Sequence, residues 1–199
     1  MPYGTLALDA ISTSGNLAVT GNVSITGNLT VTGSSPGGAV TRSNLPAGCV
    51  LQVVQTVKSD TFVGAANGTE ISITGLAATI TPTSATSKIL ITAQIMYCSI
   101  DTTYGGWFKR NGTNIGLGDA SGSRQRVTIG MAKVTDHNQT NTFIYNYLDS
   151  PSTTGAVTYQ FFVNNDNAVN LFLNRSSNDQ DNSTGKRGIS TVTLMEIAG

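Results

Sequence analysis

Two hydrophobic patterns divide the chain. Between Gly15 and Gly33 the sequence repeats in blocks of six that open on Gly-Asn and close on Thr. Leu17 and Val19, Val23 and Ile25, and Leu29 and Val31 fill the third and fifth places, with Ala18, Ser24 and Thr30 between them. Aliphatic residues at period two predict short strands with one apolar face, and the Gly-Asn pairs supply corners that tolerate positive φ. From Cys49 onward the runs lengthen. Strand patterns fall at 50–57, 70–73, 78–81, 88–98, 106–110, 113–115, 126–134, 140–148, 157–163, 169–173 and 189–197. Asn111-Gly112 reads as a hairpin turn. No window has a helical period. Short strands separated by turns at this spacing predict an all-β sandwich or barrel, and a jelly roll is the preferred form.

The repeat cannot stand alone. Ordering its backbone costs more than burying its six aliphatic side chains recovers, and one chain has nothing to cover the stripe. Self-association about an axis solves both problems. Three chains suit a six-residue repeat, each forming one side of a triangular layer, with Leu17, Val19, Val23, Ile25, Leu29 and Val31 as trimer core. The repeat would wrap as a triangular spiral or pack as three small sheets. The alternative is a monomeric meander, because Thr-Gly-Asn-Val also reads as a two-residue hairpin, but a lone sheet of such short strands is marginal.

These patterns divide the chain into an anchoring arm (1–14), a hexad-repeat β-stalk (15–33), a linker rich in Ser, Pro and Gly (34–47) and a jelly-roll head (48–199). The arm carries Leu6, Leu8 and Ile11. It either adds a layer to the stalk or docks into a larger partner by strand addition.

Composition narrows the function. Charged residues make up 11% of the chain and the net charge is zero. Soluble domains carry about 25%, so Gly, Ser, Thr and Asn must supply the polar surface. Such a surface argues against nucleic acid, which needs clustered Lys and Arg, and against an anionic membrane patch. No apolar run is long enough for a transmembrane helix, and Met1-Pro2-Tyr3-Gly4-Thr5 lacks the regions of a secretory leader. Synthesis in a cytoplasm is the expectation, and with it free thiols at Cys49 and Cys98.

Chemistry is sparse. His137 is the single histidine and lies in a polar turn, with no spacing that selects a nucleophile or orienting partner. Asp101, Asp119, Asp136, Asp149, Asp166, Asp179 and Asp181 are the candidates for paired carboxylates in glycan hydrolysis, but all seven read as loop residues beside Asn, Ser or Gly, and turn chemistry is the preferred reading. The loops 164–167 and 176–183 are rich in oxygen donors that calcium would accept, yet neither matches a calcium-loop pattern. No catalytic, metal or cofactor site is expected, and the chain reads as a non-enzyme. For glycan binding, Tyr104 and Trp107 in Tyr104-Gly105-Gly106-Trp107 are the candidates, against core packing of Trp107 at a strand start. Glu196 reads as a solvent-facing residue of the last strand, with burial as the alternative.

The Gly-Asn-Leu-Thr-Val-Thr-Gly repeat resembles shaft repeats of tailed-bacteriophage fibres. The head resembles C-terminal domains of virion proteins from marine and cyanobacterial phages, on Leu51-Gln52-Val53-Val54-Gln55, Leu148-Asp149-Ser150-Pro151, Asn174-Arg175-Ser176 and the stretches from Thr81 to Ile91 and from Ser190 to Ile197. The resemblance implies a homotrimer with heads similar in plan to tumour necrosis factor-like domains. It also implies a place in the virion, as fibre, spike or capsid decoration protein, with host-surface contact; residues 1–14 would then meet other virion proteins, and the alternative reading is an adhesin that binds a host-surface glycan. It supplies no catalytic residues.

Overall fold

The computed structural model describes residues 45–199. The arm, the stalk with Leu17, Val19, Val23, Ile25, Leu29 and Val31, and most of the linker lie outside the described residues. The described part is all β, with eleven strands: β1 (Val50–Lys58), β2 (Phe62–Ala65), β3 (Ile71–Ile80), β4 (Lys88–Ser99), β5 (Tyr104–Arg110), β6 (Thr113–Ile115), β7 (Ile129–Met131), β8 (Asn141–Asp149), β9 (Val157–Asn164), β10 (Asn170–Leu173) and β11 (Ser190–Ile197).

Two antiparallel sheets form the sandwich, one of six strands and one of five. In the first, one edge of β4 pairs with β8 over 89–97, while its other edge is shared by β11 over 88–94 and β10 over 97–99. β1 then covers β11 and β2 covers β10. In the second, the order is β3-β9-β5, and β6 and β7 divide the far edge of β5 end to end. The chain therefore pairs in a nested series: β1 with β11, β2 with β10, β3 with β9, β4 with β8, and β5 with β7.

Alternation places the core between the sheets. On β4, Ile89, Ile91, Ala93, Ile95 and Tyr97 point inward; on β9, Val157, Tyr159, Phe161 and Val163 do so. Phe108, Phe143, Tyr145 and Phe161 pack as a ring cluster with centroids 5.0–5.4 Å apart along the chain of contacts. Contacts in this geometry add to simple area burial.

Two expected strands, 70–73 and 78–81, are a single β3. The register shifts between Ser72 and Ala77, and Gly75 sits at φ +84°. A bulge there resets the side-chain parity, so that Ile73 before it and Leu76, Ala78 and Ile80 after it all face the core. The run at 126–134 shortens to three residues, because β6 occupies the remaining edge of β5. β2 has too few residues to show a period.

Candidate functional site

The outer face of the six-stranded sheet is the surface that stands apart. Following the register across β1, β11, β4 and β8, the first row is Val53, Met195, Leu90 and Leu148. The next is Gln55, Thr193, Thr92 and Asn146, and the third is Val57, Thr191, Gln94 and Ile144. None of the twelve carries a charge. Val53, Val57, Ile144 and Leu148 are 48–68% exposed, and they lie on β1 and β8, the strands that flank β11 and β4 at the two edges. Within the polar row the Gln55 amide donates to Thr193 Oγ1 at 2.8 Å, so that part of its hydrogen-bonding capacity is met inside the face. The opposite outer face differs. It carries the Thr79–Thr158 hydroxyl pair at 2.8 Å and the Lys109–Glu70 ion pair. Contiguous exposed apolar surface marks an interaction site, and the centres of protein interfaces are depleted of charge.

Tyr104 and Trp107 do not form an open platform. Tyr104 is 2% exposed, with its hydroxyl donating to the Val169 carbonyl and accepting from the Ala66 amide. Trp107 is 4% exposed, and its indole Nε1 donates to Asn114 Oδ1 at 3.0 Å. Neither ring face is available for stacking on a sugar. Position on β5 explains this: Tyr104 shares the inward parity of Phe108, while Trp107 pairs across the ladder with Phe162.

Of the seven aspartates, Asp136, Asp149 and Asp179 are engaged by donors. Asp149 is a correction to the reading of all seven as loop residues: it ends β8, is 5% exposed and is held by Arg110 Nη1 at 2.9 and 3.0 Å. The Tyr159 hydroxyl donates to it at 2.7 Å. Burial first, and then this bond to Asp149, push the Tyr159 hydroxyl far above its ordinary range, which keeps it a donor. Asp179 pairs with Arg175 and Arg187. Asp136 accepts from the Asn138 amide in a turn. His137 is exposed, with Nδ1 2.9 Å from Ser177 Oγ. Among the described residues, no three His, Cys, Asp or Glu side chains stand close enough to hold a metal ion.

Glu196 is fully enclosed. Oε1 accepts from the Thr83 amide at 2.6 Å and the Thr83 hydroxyl at 2.7 Å, and Oε2 accepts from Gln52 at 2.6 Å. Burial raises its pKa, but these donors outweigh burial and leave the carboxyl below its usual range. It ties β1 and the 81–87 turn to the end of β11. Cys98 is buried and Cys49 half-buried, both as free thiols, and burial raises the Cys98 thiol.

Two concavities accompany these features. A wide groove of about 1190 Å³ runs between the β5–β6 hairpin and the end of β8. Its Arg110 is bound to Asp149, and its Arg126 donates to the Gly118 carbonyl at 2.7 Å. A smaller cavity of about 520 Å³ lies at the start of β5, walled by Tyr104, Gly105 and the 164–167 loop.

The sequence matches no protein-family model. It also matches no curated protein. Among solved structures, it is similar to the infectious bursal disease virus Gx strain structure, at 12% identity and a TM-score of 0.38 over 74% of this chain and 37% of that one. The infectious bursal disease virus VP2 subviral particle gives the same identity and score over 74% of this chain and 38% of that one. The chain thus spans little more than a third of the length of these proteins.

Proposed function

We propose that this chain is a non-enzymatic structural protein of a phage particle, a homotrimer whose β-sandwich head faces outward for host-surface contact. The nested pairing of β1–β11, β2–β10, β3–β9, β4–β8 and β5–β7, folded over into two sheets, is the plan of a jelly roll. The observation that carries the reading is the uncharged outer face of β1, β11, β4 and β8, with its apolar row Val53, Met195, Leu90 and Leu148. Three copies placed about an axis cover that face with its own equivalents. The stalk hexads ask for the same symmetry, since identical stripes need a shared axis. The arm, residues 1–14, anchors the trimer to other virion proteins in this account, and neither nucleic acid nor membrane insertion has a part in it.

The test is a charge placed in the face. Leu148 is 48% exposed, so Leu148→Asp leaves the folded head intact. Three buried aspartates brought together at an interface are strongly unfavourable. Sedimentation of residues 48–199, which lack the stalk, is expected to shift from trimer to monomer on this substitution, with an unchanged far-ultraviolet spectrum. A variant that sediments as the wild type does would remove this face from the interface.

A further inference from the structure

Two edges of the six-stranded sheet are bare. β1 and β8 flank β11 and β4, and among the described residues no strand pairs with the far side of either. The register shows which backbone groups point outward. The Met96 carbonyl accepts from the Asn174 amide at 3.0 Å and the Met96 amide donates to Ser190 Oγ at 3.1 Å, so both face away from β8. Met96 pairs with Thr142, whose own amide and carbonyl therefore face away from β4. At period two, those of Ile144, Asn146 and Leu148 do the same. On the opposite side, Ala198 exchanges bonds with Gly48 and Cys49, so Leu194 and Val192, at the same parity, face β1. Their partners are Val54 and Thr56, which leaves the amides and carbonyls of Val53, Gln55 and Val57 on the open side.

Sheet edges are ordinarily protected by charge, proline, a bulge or shortness. The other edges of this sandwich follow that rule: β2 has four residues, β6 and β7 have three each, and β3 is bulged at Gly75. The stretches Gln52 to Val57 and Asn141 to Leu148 carry neither charge nor proline, and both pair without a register shift. These two edges also fit each other. β1, β11, β4 and β8 alternate in direction, so β8 runs antiparallel to the β1 of a copy rotated about an axis along the strands. The rows of the outer face then continue across the join. Leu148 meets Val53, Asn146 meets Gln55 and Ile144 meets Val57, which sets apolar against apolar and amide against amide.

We propose that the free edge of β8 pairs antiparallel with the free edge of β1 in a second copy of this chain. The contact is head-to-tail, and three copies close it into a ring with their uncharged outer faces turned to the axis. The proposal rests on the trimer of the functional reading and names how its subunits join, through main-chain hydrogen bonds that an unassociated chain leaves unmade.

The test is amide hydrogen exchange by NMR on the full chain, with the native mass measured by light scattering. The outward amides of both edges are expected to exchange roughly 100-fold or more slower than those of the exposed 119–125 loop. Asn146→Pro removes an outward N–H at an exposed edge position, where proline leaves the chain's own ladder intact. It is expected to release Val53, Gln55 and Val57 on β1 to fast exchange, while the Ile95 amide inside the sheet stays slow. Gln55→Pro is expected to release Ile144 and Leu148 in turn. A trimeric wild type with fast exchange at both edges overturns the edge pairing and keeps the trimer. A single-chain mass overturns both. Slow β1 amides in a folded Asn146→Pro protein also overturn the pairing, and would assign that edge to another segment, such as one from residues 1–44. Should both proline variants misfold, the exchange and mass of the wild type decide.

Discussion

Individual residues in this head are informative where they are polar and enclosed. Glu196 shows how. Its pKa is lowered in the folded chain, so its contribution to stability is full above the ordinary carboxylate range and is lost as pH falls through the lowered folded value. Glu196→Gln is therefore expected to flatten the acid limb of a pH–stability profile measured by urea unfolding. An acid limb identical to wild type would mean that Glu196 does not govern it. Phe161 illustrates the apolar side. It is 1% exposed and contacts both Phe108 and Phe143. Phe161→Ala should cost about 3–5 kcal/mol in the same unfolding measurement. These roles were not legible in the sequence. Glu196 meets Thr83 and Gln52 across separations of 113 and 144 residues, and Asp149 meets Arg110 across 39. Spacing along a chain does not reveal partners that only tertiary pairing creates. The Tyr104–Trp107 pair left two readings open for a related reason: an aromatic at a strand start looks the same in sequence whether the surface over it is open or covered.

At the scale of elements, the sequence was legible wherever a strand had a period of its own. The runs at 88–98, 113–115 and 157–163 correspond to β4, β6 and β9 with at most a one-residue extension. Asn111 and Gly112 adopt φ +46° and +86°, as a hairpin turn with two left-handed residues requires. Legibility fails where length is set by competition for an edge, as for β7, or where an inserted residue changes parity, as in β3. The bulge makes a prediction. Gly75 has a positive φ, while a Cβ there would meet Lys58 side-chain atoms only at 3.4–3.6 Å, which is ordinary contact. The cost of Gly75→Ala is therefore backbone strain, about 1–2 kcal/mol. Thermal unfolding checks it, and an unchanged midpoint would show that β3 relaxes without the left-handed residue.

For the whole molecule, the central claim concerns the face of the six-stranded sheet. Val53, Leu90, Leu148 and Met195 are scattered over nearly 150 positions of sequence, and only the register of β1, β11, β4 and β8 brings them into one apolar row. The self-association that the stalk hexads suggest thus gains a second, independent motive in the head. These two motives separate in one measurement: the native mass by light scattering of the full chain and of residues 48–199. Three times the chain mass is expected for both, 20.6 kDa being the mass of one full chain. A full-length trimer whose 48–199 portion is monomeric would contradict the role given to the sheet face and leave association to the stalk. A single-chain mass for both would contradict the trimer altogether.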